Sequence, residues 1–241
     1  MATDDASAGT AQRVSAVGIG PGSPRYLTEI ARQELARADV IVGFESVVGY
    51  VEAVIGGDVL TCGYDDEAAT LERFGERVRE GERGVAVLMG DPNVSGHQFL
   101  DSVRNVVDRP LRVIPGISCI QVAASRAVVP FEETTFVTLH RRGPIESELA
   151  RIASAVGDRH LLVLPRPYDC MPEDIAAYLL GDAAPGARAA RSQLSATVFE
   201  HLTHDEERAT ETMLGDLAGG DRPEDSAFSD LSVLLVRGDH E

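Results

Sequence analysis

The sequence predicts an α/β protein built in two parts, and three observations carry that expectation. First, short apolar runs stop abruptly at glycine and proline. Residues 14–19 run into Gly20-Pro21-Gly22, residues 85–88 into Gly90-Asp91-Pro92, and residues 111–114 into Pro115-Gly116. The four consecutive apolar residues at 85–88, closed by Gly and Pro, suit a buried parallel strand ending in a turn better than a helix. Second, stretches with helical spacing separate these runs, which is the alternation of βαβ units. Third, the pattern restarts after Val128-Val129-Pro130-Phe131-Glu132-Glu133. The expected organisation is a flexible acidic tail over 1–12, an N-terminal α/β domain over 13–130 and a C-terminal α/β domain over 131–241.

In chain order, the strand at 14–19 leads through its Gly-Pro-Gly turn into a helix capped by Thr28, with Ile30, Leu35 and Ala38 facing inward. A strand follows at 40–42. Gly18-x-Gly20-x-Gly22 is not the G-x-G-x-x-G of a dinucleotide fold, and Pro21 removes a backbone donor from the turn, so a Rossmann site is rejected. Residues 66–80 form a helix with Leu71, Phe74 and Val78 on one stripe. The strand at 85–88 follows, then a helix over 98–107 and the strand at 111–114. Ser118 to Gln121 has capping-box spacing, so a helix starts at Ser118 and runs through Ala127. In the second half, strands are expected at 135–139, 160–164, 196–199 and 231–236. Helices are expected with Leu149, Ile152, Ala153 and Val156 on one face, over 171–180, and from a capping box at Thr203–Glu206 through Leu217. Residues 182–192 and 219–226 read as loops.

Charge and composition narrow the function. The net charge is −17, and every one of the 22 basic groups is an arginine, because the chain holds no lysine. So acidic a surface repels nucleic acid and anionic membranes. It suits concentrated salt, where the Debye length falls to about 3 Å and self-repulsion is screened. The missing lysine excludes a Walker loop and Schiff-base chemistry. Cys62, Cys119 and Cys170 are odd in number and far apart, which argues against a disulfide framework or a CxxC metal site. The six histidines, His97, His140, His160, His201, His204 and His240, show no metal-ligand spacing. No G-x-S-x-G elbow and no close carboxylate pair in an apolar setting appears. No apolar run reaches bilayer length and no signal peptide is visible, so a cytoplasmic location is expected. What remains are three turns at the carboxyl ends of strands, where open α/β sheets hold ligands. Such a place suits a small organic ligand gripped mainly by backbone atoms.

VGIGPGSPRYLT, MGDPNVSG and IPGISCIQVAASR, in this order and spacing, together with VFEHLTHDEER and the closing strand, resemble the tetrapyrrole (corrin/porphyrin) methylases over residues 14 to 237. Within that family the stretch from Pro115 to Gly143 is most similar to members that methylate carbon 5 of cobalt-precorrin-7 in cobalamin biosynthesis. The resemblance implies two α/β domains with S-adenosylmethionine in the cleft between them, a tetrapyrrole as small-molecule substrate, and a homodimer. Matched by motif, Pro21, Met89, Gly90, Asp91, Val94, Ser118 and Cys119 would line the cofactor site, with Leu202 a weaker contact. His140 and Arg142 are the substrate-side candidates, since a macrocycle bearing several carboxylates suits arginine. No residue is assigned a catalytic role and no metal is expected. Three positions depart from the family pattern: Ser95 replaces a common aromatic, Cys119 a serine, and Arg141 a glycine.

Methyl transfer from a sulfonium to a carbon nucleophile is an in-line displacement with a neutral leaving group, so positioning can do most of the work, roughly 7–11 kcal/mol. Asp91 then reads as part of a turn that shapes the pocket rather than as an acid. Other readings stay open: another precorrin carbon, a diphthine synthase of the same fold, or a non-catalytic tetrapyrrole-binding protein.

Overall fold

A computed structural model describes residues 14–167, 169–181, 183–219 and 226–239. The expected acidic tail, and nearly all of the loop expected at 219–226, lie outside them. The chain folds as two compact units, parted at Ile117/Ser118.

The first unit is a five-stranded sheet of β1 (Val14–Gly18), β2 (Val40–Phe44), β3 (Asp58–Cys62), β4 (Gly84–Leu88) and β5 (Leu111–Ile114). Its order is β3-β2-β4-β1-β5, and every pairing is parallel. Helices cover both faces, which explains why the strands read as continuous apolar runs. On one face Val14, Ala16, Val42 and Ala86 meet Leu71, Phe74 and Val78 of α3 (Glu67–Arg79) and Phe99, Leu100 and Val103 of α4 (His97–Val106). On the other, Val17, Ile41 and Val85 meet Ala31 and Leu35 of α1 (Glu29–Ala36). Burying each large apolar side chain contributes about 1.5–3 kcal/mol.

Thr28 caps α1 as expected, its hydroxyl accepting from the Ala31 amide at 3.2 Å. Ile30, however, is 55% exposed, and Ala31 is buried in its place. Packing fixes Leu35 as the inward position, and the residue one turn earlier on that stripe is 31, not 30. Strand β3 and the short helix α2 (Glu45–Val48) went unforeseen, β3 because only Leu60 and Cys62 of its five residues are buried.

The second unit opens with α5 (Cys119–Ala127), whose reciprocal capping box joins Ser118 and Gln121 as its spacing foretold. This helix packs on strands of the second sheet and buries Ile120, Val122, Ala123 and Ala124. That packing places the boundary before Ser118 rather than at Pro130. The sheet comprises β6 (Thr134–Thr138), β7 (His160–Leu164), β8 (Ser195–Glu200), β9 (Arg208–Met213) and β10 (Ser232–Val236), in the order β6-β7-β10-β8-β9. Strands β6, β7 and β8 run one way, β9 and β10 the other. Helices α6 (Glu146–Ala155), α7 (Pro172–Gly181), α8 (Pro185–Ser192) and α9 (Leu214–Gly219) complete the unit.

Two expectations fail here. The segment ending at Ser192, read as a loop, contains α8. Pro185 starts it at a position where its missing donor costs nothing, and Ala and Arg sustain it. Arg191 ties it down by donating to Leu179 O and Ala153 O at 2.9 and 3.2 Å. The helix expected from Thr203 through Leu217 is instead the edge strand β9 followed by α9. Thr203 has φ 74°, which an N-cap does not adopt. Thr210 and Thr212 alternate at strand period against β8, where β-branched residues pack well.

Candidate functional site

The order β4-β1-β5 sets three carboxyl-terminal turns side by side in the first unit. They interlock through backbone atoms. Gly20 and Gly90 form an antiparallel bridge, Gly90 N–H donating to Gly20 O at 2.8 Å and Gly20 N–H to Gly90 O at 3.3 Å. Both glycines have positive φ, 85° and 64°, a conformation other residues adopt only with strain. A Cβ on Gly116 would lie 2.1 Å from Gly90 O, and one on Gly18 would lie 2.5 Å from Gly90 O and 2.7 Å from Gly116 N. No side chain fits where the three strand ends meet. The convergence expected from sequence is therefore present, and it is tighter than the motifs alone imply.

Of the eight residues matched to the cofactor site, five sit on this edge: Pro21, Met89, Gly90, Asp91 and Val94. Pro21 and Gly90 are buried, and Met89, Asp91 and Val94 are half-buried. Asp91 Oδ1 accepts from the Asn93 backbone amide and from Asn93 Nδ2, both at 2.8 Å, while Asp91 O accepts from the Val94 amide at 2.8 Å. This is an Asx turn, a local loop of an aspartate closing on the backbone two residues ahead. The carboxylate is thus engaged in holding the turn. Ser95 continues the loop at φ 64°.

Ser118, Cys119 and Leu202 belong to the second unit. The Ser118 hydroxyl accepts from the Ile120 amide at 3.2 Å, and its own amide donates to Gln121 Oε1 at 2.8 Å. The side chain is buried and occupied as a cap. Burial pushes the Cys119 thiol above its ordinary range. Leu202, 4% exposed, follows β8 at the edge where β6, β7 and β8 end.

His140 lies on that same edge, just past β6. Its amide donates to Thr138 Oγ1 at 3.2 Å, and desolvation by its surroundings lowers its pKa against the opposing charge of Asp230. Arg141 pairs with Glu148 Oε1 at 2.7 Å, and Arg142 is exposed beside it. Arg166, at the end of β7, donates to Gly143 O at 2.9 Å and pairs with Asp169, which braces the loop carrying His140 and Arg142.

Two carboxylates on this edge went unrecognised in the sequence. Glu200 is 1% exposed, takes both Nε and Nη2 of Arg208 at 2.8 Å, and accepts from the Ser229 amide at 2.9 Å. Glu207 accepts from the Thr203 amide at 2.7 Å and from Arg126 Nε at 2.6 Å. A charged residue directly after the apolar Val198-Phe199 was the available signal for Glu200. For Glu207 the sequence offered none, because its side-chain partner Arg126 lies on α5.

Among the described residues no cluster of His, Cys, Asp and Glu could hold a metal, and no helix is long and apolar enough to cross a membrane. The first unit's sheet edge is framed by interlocked backbone amides and carbonyls, and the second unit's by charged side chains.

A model of the family described as Tetrapyrrole (Corrin/Porphyrin) Methylases matches residues 13–218. The chain is 27% identical over 228 residues to the "Probable cobalt-precorrin-7 C(5)-methyltransferase" of Methanocaldococcus jannaschii, covering 93% of this chain and 98% of that protein. It is 28% identical over 158 residues to the "Probable cobalt-factor III C(17)-methyltransferase" of Methanothermobacter thermautotrophicus, covering 63% of this chain and 44% of that protein, so it spans less than half of that relative. Among solved structures, the methyltransferase CobJ aligns with TM-score 0.73 at 22% identity, covering 95% of each chain. Uroporphyrin-III C-methyl transferase from Thermus thermophilus, complexed with S-adenyl homocysteine, aligns with TM-score 0.68 at 20% identity, covering 93% of this chain and 92% of that one. At such identities the likeness to solved structures is one of fold.

Proposed function

Because the chain belongs to the tetrapyrrole (corrin/porphyrin) methylases, we propose that it is an S-adenosylmethionine-dependent C-methyltransferase of cobalamin biosynthesis. It methylates carbon 5 of cobalt-precorrin-7 to give cobalt-precorrin-8. The observation that carries this reading is the interlocked cradle in which Gly20 bridges Gly90 and a Cβ on Gly18 or Gly116 would collide with Gly90 O. A cofactor gripped by backbone needs such an approach. The choice of carbon 5 is supported by the relative that matches along 98% of its length. The C(17) relative supports a second reading, methylation at another precorrin carbon, over a shorter stretch.

The cofactor supplies an electrophilic methyl group on a sulfonium. The protein's part is placement. In this reading the residues that would hold the cofactor are Pro21, Met89, Gly90, Asp91, Val94, Ser118, Cys119 and Leu202. Asp91 acts through its turn, keeping the Asn93 and Val94 amides in place. Backbone carbonyls near Met89 are suited to weak C–H···O contacts with a polarised methyl group, a second-order contribution. His140 and Arg142 face the substrate, and arginine matches a carboxylate in bidentate geometry. Holding reacting atoms in near-attack geometry is worth roughly 7–11 kcal/mol, which explains the absence of an acid–base pair from the proposed mechanism. In this reading the enzyme is a cytoplasmic homodimer adapted to salt, the last supported by its net charge of −17.

Calorimetric titration with S-adenosylmethionine in high salt tests the class, and no binding would sink it. Incubation with cobalt-precorrin-7 should add one methyl group by mass, located at carbon 5 by NMR. An unchanged mass with a cofactor-binding protein would transfer the assignment to another precorrin.

A further inference from the structure

The turn after β8 holds strained backbone. Within three residues it holds two non-glycine positions in the left-handed region, His201 at φ 49° and Thr203 at φ 74°. A connection between antiparallel strands does not require this, since glycine or a tighter loop would relieve it. Leu202 lies between the two strained positions and is 4% exposed. Such conformations persist only where the surroundings over-determine them, and here the fasteners are visible.

Two carboxylates fasten the turn. On its N-terminal side Glu200 is locked by Arg208 and the Ser229 amide. On its C-terminal side Glu207 Oε2 accepts from the Thr203 amide at 2.7 Å, the amide of a strained residue. The other face of the Glu207 carboxylate is held by Arg126, whose Nε and Nη2 donate at 2.6 and 3.2 Å. Arg126 lies in the last turn of α5, the helix that Ser118 and Cys119 begin. His201 N–H donates to Leu231 O at 3.0 Å and His204 N–H to His201 O at 2.9 Å, completing the frame.

We propose that Glu207, clamped by Arg126, is a positioning residue that holds the Leu202 turn in its left-handed form and thereby sets cofactor affinity. It touches no reacting atom. The proposal rests on the reading that Leu202 contacts the cofactor, and it adds that α5 and the Leu202 turn are tied into one frame by a charge-assisted bond.

The test uses the full chain. Glu207→Ala should weaken S-adenosylhomocysteine binding by about tenfold, a loss of 1.4 kcal/mol, and raise the cofactor KM while kcat at saturating cofactor holds. Adding Thr203→Gly to Glu207→Ala should restore most of the affinity, because glycine takes φ 74° without a fastener. Amide exchange at Leu202 and His204 should quicken in Glu207→Ala and slow again in the double variant. Unchanged affinity in Glu207→Ala would overturn the proposal. So would an affinity loss that the glycine does not repair while both variants melt alike. If the wild-type protein binds no S-adenosylhomocysteine, the methyltransferase reading fails instead, and the brace is then judged on amide exchange alone, unchanged exchange overturning it.

Discussion

Gly116→Ala is the sharpest test of the cradle. The added methyl would sit 2.1 Å from Gly90 O and 2.8 Å from both the carbon and the oxygen of Gly18. Those neighbours are backbone atoms of adjoining strand ends, so no rotamer change makes room. The β5 end must move away from β1 and β4 by at least about 1.3 Å to reach ordinary van der Waals contact. Overpacking a filled site typically costs about 1–3 kcal/mol, and a clash against backbone alone belongs at the upper end. For a chain of this size about 3 kcal/mol lowers the melting temperature by roughly 6–12 °C. S-adenosylhomocysteine affinity should fall with it, since the displaced turn is the one that locks Gly90. The control is Gly186→Ala in α8, where nothing lies within 4 Å of the added carbon. That change should stabilise by about 0.5–1 kcal/mol and leave affinity alone. Circular dichroism melts and calorimetry read both. A Gly116→Ala protein that melts within a degree of wild type and binds cofactor normally would refute the interlocked cradle.

Other expectations follow from the same geometry. Asp91→Ala should weaken cofactor binding through loss of the Asx turn, whereas Asp91→Asn, which keeps an acceptor oxygen, should retain most of it; unchanged affinity with lost turnover in Asp91→Ala would instead make Asp91 an acid. Glu200→Ala removes a buried acceptor and strands the Ser229 amide, and a loss of about 1–3 kcal/mol in denaturant unfolding is expected. Burial pushes the Cys62 and Cys170 thiols up to about 11 from 9.0. Because the folded state favours the neutral thiol, their contribution is complete below pH 9.0 and is lost as pH rises through about 11. Stability should therefore decline across that alkaline window, less so in a Cys62→Ala, Cys170→Ala protein. Arg142→Ala should raise the KM for the tetrapyrrole several-fold without altering cofactor affinity in calorimetry.

In the first unit β1 and β4 are legible because they are buried on both faces and end in residues that can do little else. Val85 to Leu88 followed by Gly90-Asp91-Pro92 announces both a strand and its end, and parallel pairing then brings such ends to one edge. Ser118 and Gln121 were equally legible, since a capping box is a local exchange of bonds. What stayed hidden depends on partners distant in sequence. Ile30 reads as inward from its character, yet the phase of α1 is set by Leu35 against the sheet. β3 is an edge strand with three exposed residues, so half of its pattern looks polar. At Thr203 the capping-box spacing was real, but the residue that answers its amide is Glu207, and Arg126 holds Glu207 in place. A local rule lost there to a non-local charge.

The two sheet edges thus reach rigidity by different means, and they should respond differently to salt. The first edge is set by shape: glycines that admit no side chain and backbone bonds between turns, neither of which ions screen. The second is set by charge, through Arg126–Glu207, Arg208–Glu200 and Arg166–Asp169. Glu200 is 1% exposed, so the carboxylate end of its bond to Arg208 is shielded although Arg208 is 61% exposed, while Arg126 and Glu207 are 41% and 26% exposed and both ends of their bond meet solvent. Rising salt shortens the Debye length from about 10 Å at 0.1 M to about 3 Å at 1 M, which weakens an exposed pair. It also relieves the repulsion of a chain with net charge −17, which strengthens the fold as a whole. Global stability should therefore climb with potassium chloride, while amide exchange at Leu202 and His204 slows less than exchange in β1 and β4. Uniform slowing across both units would show that the Glu207 brace is shielded from solvent ions and that charge repulsion alone sets the salt response.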